Sequence, residues 1–216
     1  MKNRFDLLIF DWDGTLINTI DWITHCLQTA ALRCGCTVPE AQAAKDVIGL
    51  SILEATSKLH PNVDEHTHAQ LVKTYADEYN SKPLSRADLF EGSYEMLQEL
   101  KNLGYTLAVA TGKTRRGLQA ALDATQTEHL FAVTRCADET RSKPDPLMLQ
   151  QIMQVTNKPT ASSLMIGDSI HDLQMAKNAT ISSVAVCSGA NSKDVLQTFQ
   201  PMLCLNEVSE LLAYLK

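Results

Sequence analysis

The stretch that decides the fold is LLIFDWDGT, residues 7–15. Four apolar residues, Leu7 to Phe10, run directly into Asp11, and Asp13 follows two positions later. A short, continuous apolar run is typical of a strand buried on both faces of a parallel sheet. Two ionised carboxylates at the end of such a strand repel each other and lose hydration. The sequence therefore predicts a binding partner at this strand end that offsets the free-energy cost of the repulsion and of the lost hydration.

Three further apolar runs resemble the first one. They are TLAVA (106–110), SLMI (163–166) and SVAV (183–186). Amphipathic helical patterns alternate with these runs, in GSYEMLQELKNLG, KPDPLMLQQIMQVT and SIHDLQMAKNA. Strand–helix alternation of this kind predicts an α/β fold built on a doubly wound parallel sheet.

A long helical segment interrupts this alternation. Residues 17–85 contain no convincing strand pattern, and their helical stretches are separated by Pro39 and Pro61. We therefore expect an α-helical cap domain at 17–85. It would be inserted into an α/β core domain formed by residues 1–16 and 86–216.

Composition narrows the range of partners. The 216 residues carry 19 Lys and Arg against 25 Asp and Glu, a net charge of -6, which does not favour nucleic acid as a partner. The amino-terminal sequence has only four consecutive apolar residues before a charge, too few for a signal peptide or a membrane span. We expect a soluble cytoplasmic protein without a nucleic-acid or membrane partner. The sequence leaves the oligomeric state open.

Polar residues stand where three of the predicted strands end. Asp11, Thr111 and Asp168 each follow an apolar run, and Lys143 lies in the loop RSKPDP before a helix. The carboxyl ends of parallel strands form one edge of the sheet, where ligands bind at a topological switch point. We therefore expect these side chains to converge.

The expected edge holds more acids than bases. Carboxylates and backbone carbonyls are hard oxygen ligands that suit Mg²⁺, and Mg²⁺ commonly shares its coordination with a substrate phosphate. The Thr111 hydroxyl, the Gly112 amide and the Lys143 ammonium offer donors for such a phosphate. The four acids are Asp11, Asp13, Asp168 and Asp172, and the base is Lys143.

Asp11 and Asp13 can divide the chemistry of phosphoryl transfer. A metal-bound Asp11 is hard to protonate, which suits a nucleophile that attacks phosphorus and forms an aspartyl phosphate. Asp13 can give a proton to the leaving oxygen and then take one from the hydrolytic water. Thr111 and Lys143 complete the predicted catalytic set by positioning and charge neutralisation.

Four motifs resemble those of the haloacid dehalogenase (HAD) superfamily. They are DWDGT, AVATGK, SKPDP and MIGDSIHD, and they occur in the order of the superfamily's motifs. The helical insert resembles the small cap of the subgroup that contains phosphoglycolate phosphatases and β-phosphoglucomutases. VIGLSILEATSKL and GYTLAVATGKTRRGL look most like the phosphoglycolate phosphatases.

This resemblance implies a Rossmann-like core and a set of site residues. It assigns Asp11 as nucleophile and Asp13 as acid and base. It also implies Mg²⁺ bound by the side chains of Asp11 and Asp168 and by the Asp13 carbonyl, with Asp172 holding the waters of the metal. Gly112 departs from the pattern, because many relatives carry Asn at this position.

Three functions remain open at this point. The first is a Mg²⁺-dependent phosphatase acting on a small phosphorylated metabolite, for which 2-phosphoglycolate is the closest example. The second is a phosphomutase of the β-phosphoglucomutase type, which would use the same four motifs. The third belongs to another class, a phospho-aspartate receiver in signalling. A receiver needs neither an acid for a leaving group nor a cap, so Asp13 and the helical insert favour an enzyme.

Overall fold

The structure, a computed structural model, describes residues 4–216 and contains one six-stranded sheet. Its strand order is β3-β2-β1-β4-β5-β6, and each pair of neighbours is parallel. The strands are β1 (Leu7–Phe10), β2 (Thr106–Thr111), β3 (Val133–Cys136), β4 (Ser163–Gly167), β5 (Ser182–Val186) and β6 (Cys204–Leu205).

The strand order reverses at β1. Strands β2 and β3 extend the sheet on one side of β1, and β4 to β6 extend it on the other. In register, Phe10 lies beside Val109 of β2 and Ile166 of β4. The expected doubly wound parallel sheet is confirmed, and β1 ends at its switch point, where such sheets bind ligands.

Six helices cover the two faces of the sheet. Residues alternate between the two faces along each strand, so each face carries apolar side chains that the helices bury. Leu8 and Phe10 pack with Leu97 on one face, whereas Leu7 and Ile9 pack with helix residues on the other. Both faces are therefore buried. The helices are α5 (Ser93–Asn102), α6 (Arg115–Thr125), α7 (Leu147–Thr156), α8 (Ile170–Asn178), α9 (Lys193–Gln197) and α10 (Leu212–Leu215).

Four helices lie between β1 and α5, in the segment for which the sequence predicts helices and no strand. They are α1 (Ile20–Arg33), α2 (Ala41–Lys45), α3 (Ile52–Leu59) and α4 (Glu65–Tyr79). α1 packs against α4, with Ala30, Ala31 and Leu71 in a small apolar cluster. The division into a cap at 17–85 and a core at 1–16 and 86–216 stays our proposal, and residues 1–3 lie outside the described part.

The hydropathy of the helices bears on membrane insertion. Within residues 4–216, no helix combines the length and the apolar character needed to cross a bilayer.

Candidate active site

The predicted strand-end residues meet at the carboxyl edge of the sheet. Asp11 directly follows β1, Thr111 ends β2 and Asp168 directly follows β4, and each is at most 1% exposed. Lys143 reaches the same edge from the loop before α7. Its ammonium lies 2.7 Å from Asp11 Oδ1 and 2.7 Å from Asp172 Oδ1. The expected convergence of these side chains is therefore present.

Lys143 is completely buried, and its charge is held in place by two acids. Burial by itself lowers the pKa of the Lys143 ammonium, but Asp11 and Asp172 outweigh that effect and raise the pKa above its usual value. Lys143 is therefore a fixed positive charge at neutral pH.

The acids at this edge exceed the single positive charge of Lys143. Asp11, Asp168 and Asp172 each place a carboxylate oxygen within 4.8 Å of the others. Burial, followed by repulsion from Asp172, raises the pKa of Asp11 well above its usual value and that of Asp168 to about 7. A cluster of this kind is stable in its ionised form only with a further cation.

Asp168 is fixed by the loops around it. Its Oδ1 accepts a hydrogen bond of 2.7 Å from the Thr15 hydroxyl, and its Oδ2 accepts one of 2.7 Å from the Ala190 amide. Gly14 and Gly189 approach so closely that a Cβ on either would overlap the Asp168 carboxylate. Sequence reasoning missed the role of Thr15, although it lies inside the DWDGT motif.

The acidic cluster fits a divalent cation. Asp11, Asp168 and Asp172 place carboxylate oxygens, which are hard ligands, within 4.8 Å of one another, and the ammonium of Lys143, 2.7 Å from Asp11 Oδ1 and from Asp172 Oδ1, balances only one of their charges. These donors suit Mg²⁺ better than zinc, which prefers nitrogen and sulfur.

Asp13 has different partners from the acidic cluster. Its Oδ1 accepts a hydrogen bond of 2.7 Å from the Thr19 hydroxyl, and its Oδ2 lies 3.1 Å from the Lys113 ammonium. The side chain is nearly buried but borders the cavity described below. Asp13 is thus held beside Asp11 without joining its cluster.

Lys113 connects Asp13 to helix α4. Its ammonium donates a hydrogen bond of 2.8 Å to the Tyr79 hydroxyl and lies 4.3 Å from the centre of the Tyr79 ring. Burial lowers the pKa of Lys113, but Asp13 and the nearby tyrosines raise it more, so it stays charged. Sequence reasoning missed Lys113, although the position of Lys113 directly after Thr111-Gly112 was an available signal.

The segment 46–51 covers the strand ends. The Ser51 amide donates a hydrogen bond of 2.8 Å to Ser142 Oγ, and His171 Nε2 donates one of 2.9 Å to the Asp46 carbonyl. A Cβ on Gly112 would overlap the Leu50 carbonyl oxygen, which explains why this chain has Gly there. His171 is only 8% exposed beneath this segment.

A cavity of about 480 Å³ lies between the helical insert and the strand ends. Asp11, Asp13, Thr111 and Gly112 line this cavity, whereas Lys143, Asp168 and Asp172 are not among its lining residues. A cavity of this size can hold a small organic molecule.

Comparison with known proteins identifies the family of this site. The family of haloacid dehalogenase-like hydrolases matches residues 8–186, which include all four predicted motifs. The chain belongs to this family. The expected resemblance is thereby confirmed, and the HAD match supports a hydrolase over a signalling receiver.

Relatives of known description extend over nearly the whole chain. Pyrophosphatase PpaX of Bacillus anthracis is 30% identical over 98% of this chain and 97% of its own length. The probable phosphatase IndB of Dickeya dadantii is 33% identical over 94% of this chain and 90% of its own. Their names agree with the expected phosphatase.

A solved structure shares this HAD fold. It is a protein of Haemophilus somnus described as a predicted phosphoglycolate phosphatase. It superposes with a TM-score of 0.86, covers 97% of both chains and has 21% sequence identity. This likeness supports the fold alone.

Proposed function

We propose that this HAD hydrolase is a Mg²⁺-dependent phosphatase that hydrolyses the monoester of a small phosphorylated metabolite through an aspartyl phosphate. One observation carries the proposal. Three buried acids, Asp11, Asp168 and Asp172, surround one lysine at the switch point of the sheet and need a further cation. When bound, Mg²⁺ would neutralise charge on the phosphoryl group.

Asp11 is the proposed nucleophile. Its carboxylate oxygen attacks phosphorus and forms an Asp11–phosphate bond while the bond from phosphorus to the leaving oxygen breaks. Asp11 and Asp168 would bind the metal through their side chains, and Asp13 would bind it through its carbonyl. The position of Asp11 at the end of β1, buried beside Asp168 and bordering the cavity, supports this assignment.

Asp13 is the proposed acid and base. It gives its proton to the leaving oxygen in the first step. In the second step a water attacks phosphorus and gives a proton to Asp13, and the Asp11–phosphate bond breaks. The separate partners of Asp13, Thr19 and Lys113, support a role distinct from that of Asp11.

Phosphate binding is assigned to the Thr111 hydroxyl, the Gly112 amide and Lys143. Thr111 and Gly112 border the cavity, and Lys143 lies beside Asp11. Asp172 fixes Lys143 through its Oδ1 and would also hold waters of the metal. Asp172 Oδ2 accepts hydrogen bonds from the amide and the hydroxyl of Ser169, which keep the carboxylate in place.

The resemblance to phosphoglycolate phosphatases makes 2-phosphoglycolate one candidate substrate, and the name of the relative PpaX makes pyrophosphate another. A cytoplasmic location and the lack of nucleic-acid and membrane partners stay predictions from the sequence.

Release of phosphate from p-nitrophenyl phosphate tests the proposal. We expect repeated turnover with Mg²⁺, loss of turnover with excess EDTA, and recovery when Mg²⁺ is restored. Rapid acid quenching during turnover should trap a phosphorylated chain whose label maps to Asp11. Undiminished turnover in EDTA would contradict the metal assignment, and a label on another residue would contradict the nucleophile.

A further inference from the structure

The residues that line the cavity restrict the chemical class of the substrate. Resting on the phosphatase function above, we propose that the alcohol released has an uncharged, largely apolar body next to its ester oxygen. A second phosphate or a carboxylate at that position, as in pyrophosphate or 2-phosphoglycolate, does not match the cavity.

The cavity is larger than either of those two anions requires. Its volume of about 480 Å³ lies within the range of roughly 300–1,000 Å³ found for pockets that hold drug-sized molecules. Pyrophosphate and 2-phosphoglycolate are much smaller than such molecules, so most of the cavity would be left to water.

One part of the wall supplied by the helical insert is aliphatic, whereas α4 and the residue after it add Tyr75, Tyr79 and Asn80. The aliphatic side chains come from α1, the segment 46–51 and α3, and they offer no hydrogen bond to a charged group. An anion placed against them would lose hydration without compensation, whereas carbon atoms would gain from burial. The wall residues are Ile23, Leu27, Val47, Ile48, Ile52 and Ala55.

The positive charges of the cavity do not provide a site for a second anion near the ester oxygen. Among the described lining residues, the cations are Lys113 and Arg116. Lys113 is already paired with Asp13 and bonded to Tyr79. Arg116 is exposed, and it lies with Asn80 and Thr114 among the exposed polar residues of the lining.

The aliphatic part of the wall and the pairing of Lys113 with Asp13 thus favour the same class of substrate, an uncharged alcohol with several carbon atoms.

Straight-chain alkyl phosphates test this inference. A longer chain buries more apolar surface in the cavity, whereas the chemistry of the ester bond stays the same. With Mg²⁺, we expect kcat/KM to rise by about three- to fourfold for each methylene from methyl to butyl phosphate. Hexyl phosphate should exceed both pyrophosphate and 2-phosphoglycolate by at least about tenfold.

A variant pair links the effect to the wall. Ile52 lines the cavity, whereas the next residue, Leu53, is 58% exposed and is not part of the lining. Ile52→Gln should reduce kcat/KM for hexyl phosphate several-fold more than for methyl phosphate. Leu53→Gln should keep the wild-type dependence on chain length.

The outcomes separate this inference from the function on which it rests. If no phosphate ester is hydrolysed with Mg²⁺, the proposed phosphatase function is wrong. If esters are hydrolysed without dependence on chain length, and pyrophosphate or 2-phosphoglycolate is preferred over hexyl phosphate, the function stands and the apolar leaving group is refuted.

Discussion

At the scale of single residues, Lys113 is the main addition to the predicted site. It lies between the proposed acid Asp13 and Tyr79 of the helical insert. Its ammonium holds one carboxylate oxygen of Asp13 while Thr19 holds the other. The orientation of Asp13 therefore depends on two side chains, one of which contacts the insert.

Lys113→Met should impair the proton transfer assigned to Asp13. General acid–base catalysis contributes about 10²–10⁴-fold, so loss of orientation should reduce kcat about 10- to 100-fold with a smaller change in KM. Steady-state kinetics with p-nitrophenyl phosphate and an alkyl phosphate would measure both constants. Lys158→Met is a matched control, because Lys158 lies away from the site. Its ammonium is 3.5 Å from a carboxylate oxygen of Asp6. A Lys113→Met enzyme with the wild-type kcat would exclude the positioning role.

Asp11→Asn should separate catalysis from folding. Asn is nearly isosteric but cannot act as the nucleophile, so turnover should fall to background. Because burial and neighbouring acids raise the pKa of Asp11, removing its charge should leave the melting temperature in EDTA unchanged or higher. Thermal unfolding and phosphate release would test the two parts, and near-wild-type turnover would rule Asp11 out.

At the scale of helices and strands, the central strands could be predicted and the edge strands could not. β1, β2, β4 and β5 are buried on both faces, which produces the continuous apolar runs in the sequence. β3 and β6 lie at the two edges of the sheet. Three residues of β3 are only half-buried, so its sequence VTRC carries no such run.

Some features of the insert and of the site also could not be predicted from the sequence. Residues 40–60 read as one helical stretch, but the structure breaks it into α2 and α3 around Gly49, whose φ is +99°. The strand-end residues could be predicted because parallel topology brings them together. The contact of Tyr79 with Lys113 could not, because it joins residues far apart in the chain and depends on how the insert packs.

Gly112→Ala should disturb the contact between the segment 46–51 and the strand ends. The added Cβ would overlap the Leu50 carbonyl, which is backbone and cannot rotate away. Because a displacement of about 1 Å can cost about 100-fold, kcat/KM should fall about 10- to 100-fold. The melting temperature would show whether the fold is retained.

Gly104→Asn provides the control for that variant. Gly104 has a φ of +90° and open space around it, and Asn tolerates this conformation better than most residues. The control should keep the wild-type kcat/KM. A Gly112→Ala enzyme with the same kcat/KM as the control would show that this contact does not matter for turnover.

At the scale of the whole molecule, the buried acids make stability depend on pH and on metal together. Between pH of about 4 and 7, the raised pKa values of Asp11 and Asp168 mean that the folded chain binds more protons than the unfolded chain. This contribution lowers stability as the pH rises in EDTA. Burial lowers the pKa of His60 and His171, which gives the opposite slope, so the pH dependence in EDTA alone mixes both effects.

The shift in melting temperature caused by Mg²⁺ reports on the acidic cluster and on His171, which interacts with Asp172, because the proton binding of His60 is common to samples with and without metal. At about 100 times its dissociation constant, Mg²⁺ should stabilise the fold by about 2.7 kcal/mol, or about 5–10 °C, at pH 7.5. At pH 5, Asp168, with a pKa of about 7, must lose a proton before it binds metal. This competition weakens binding about 100-fold, so most of the shift should vanish at the same Mg²⁺ concentration. Thermal unfolding at both pH values, with Mg²⁺ and with EDTA, measures the difference. An equal Mg²⁺ shift at pH 5 and pH 7.5 would mean that these buried acids do not bind the ion.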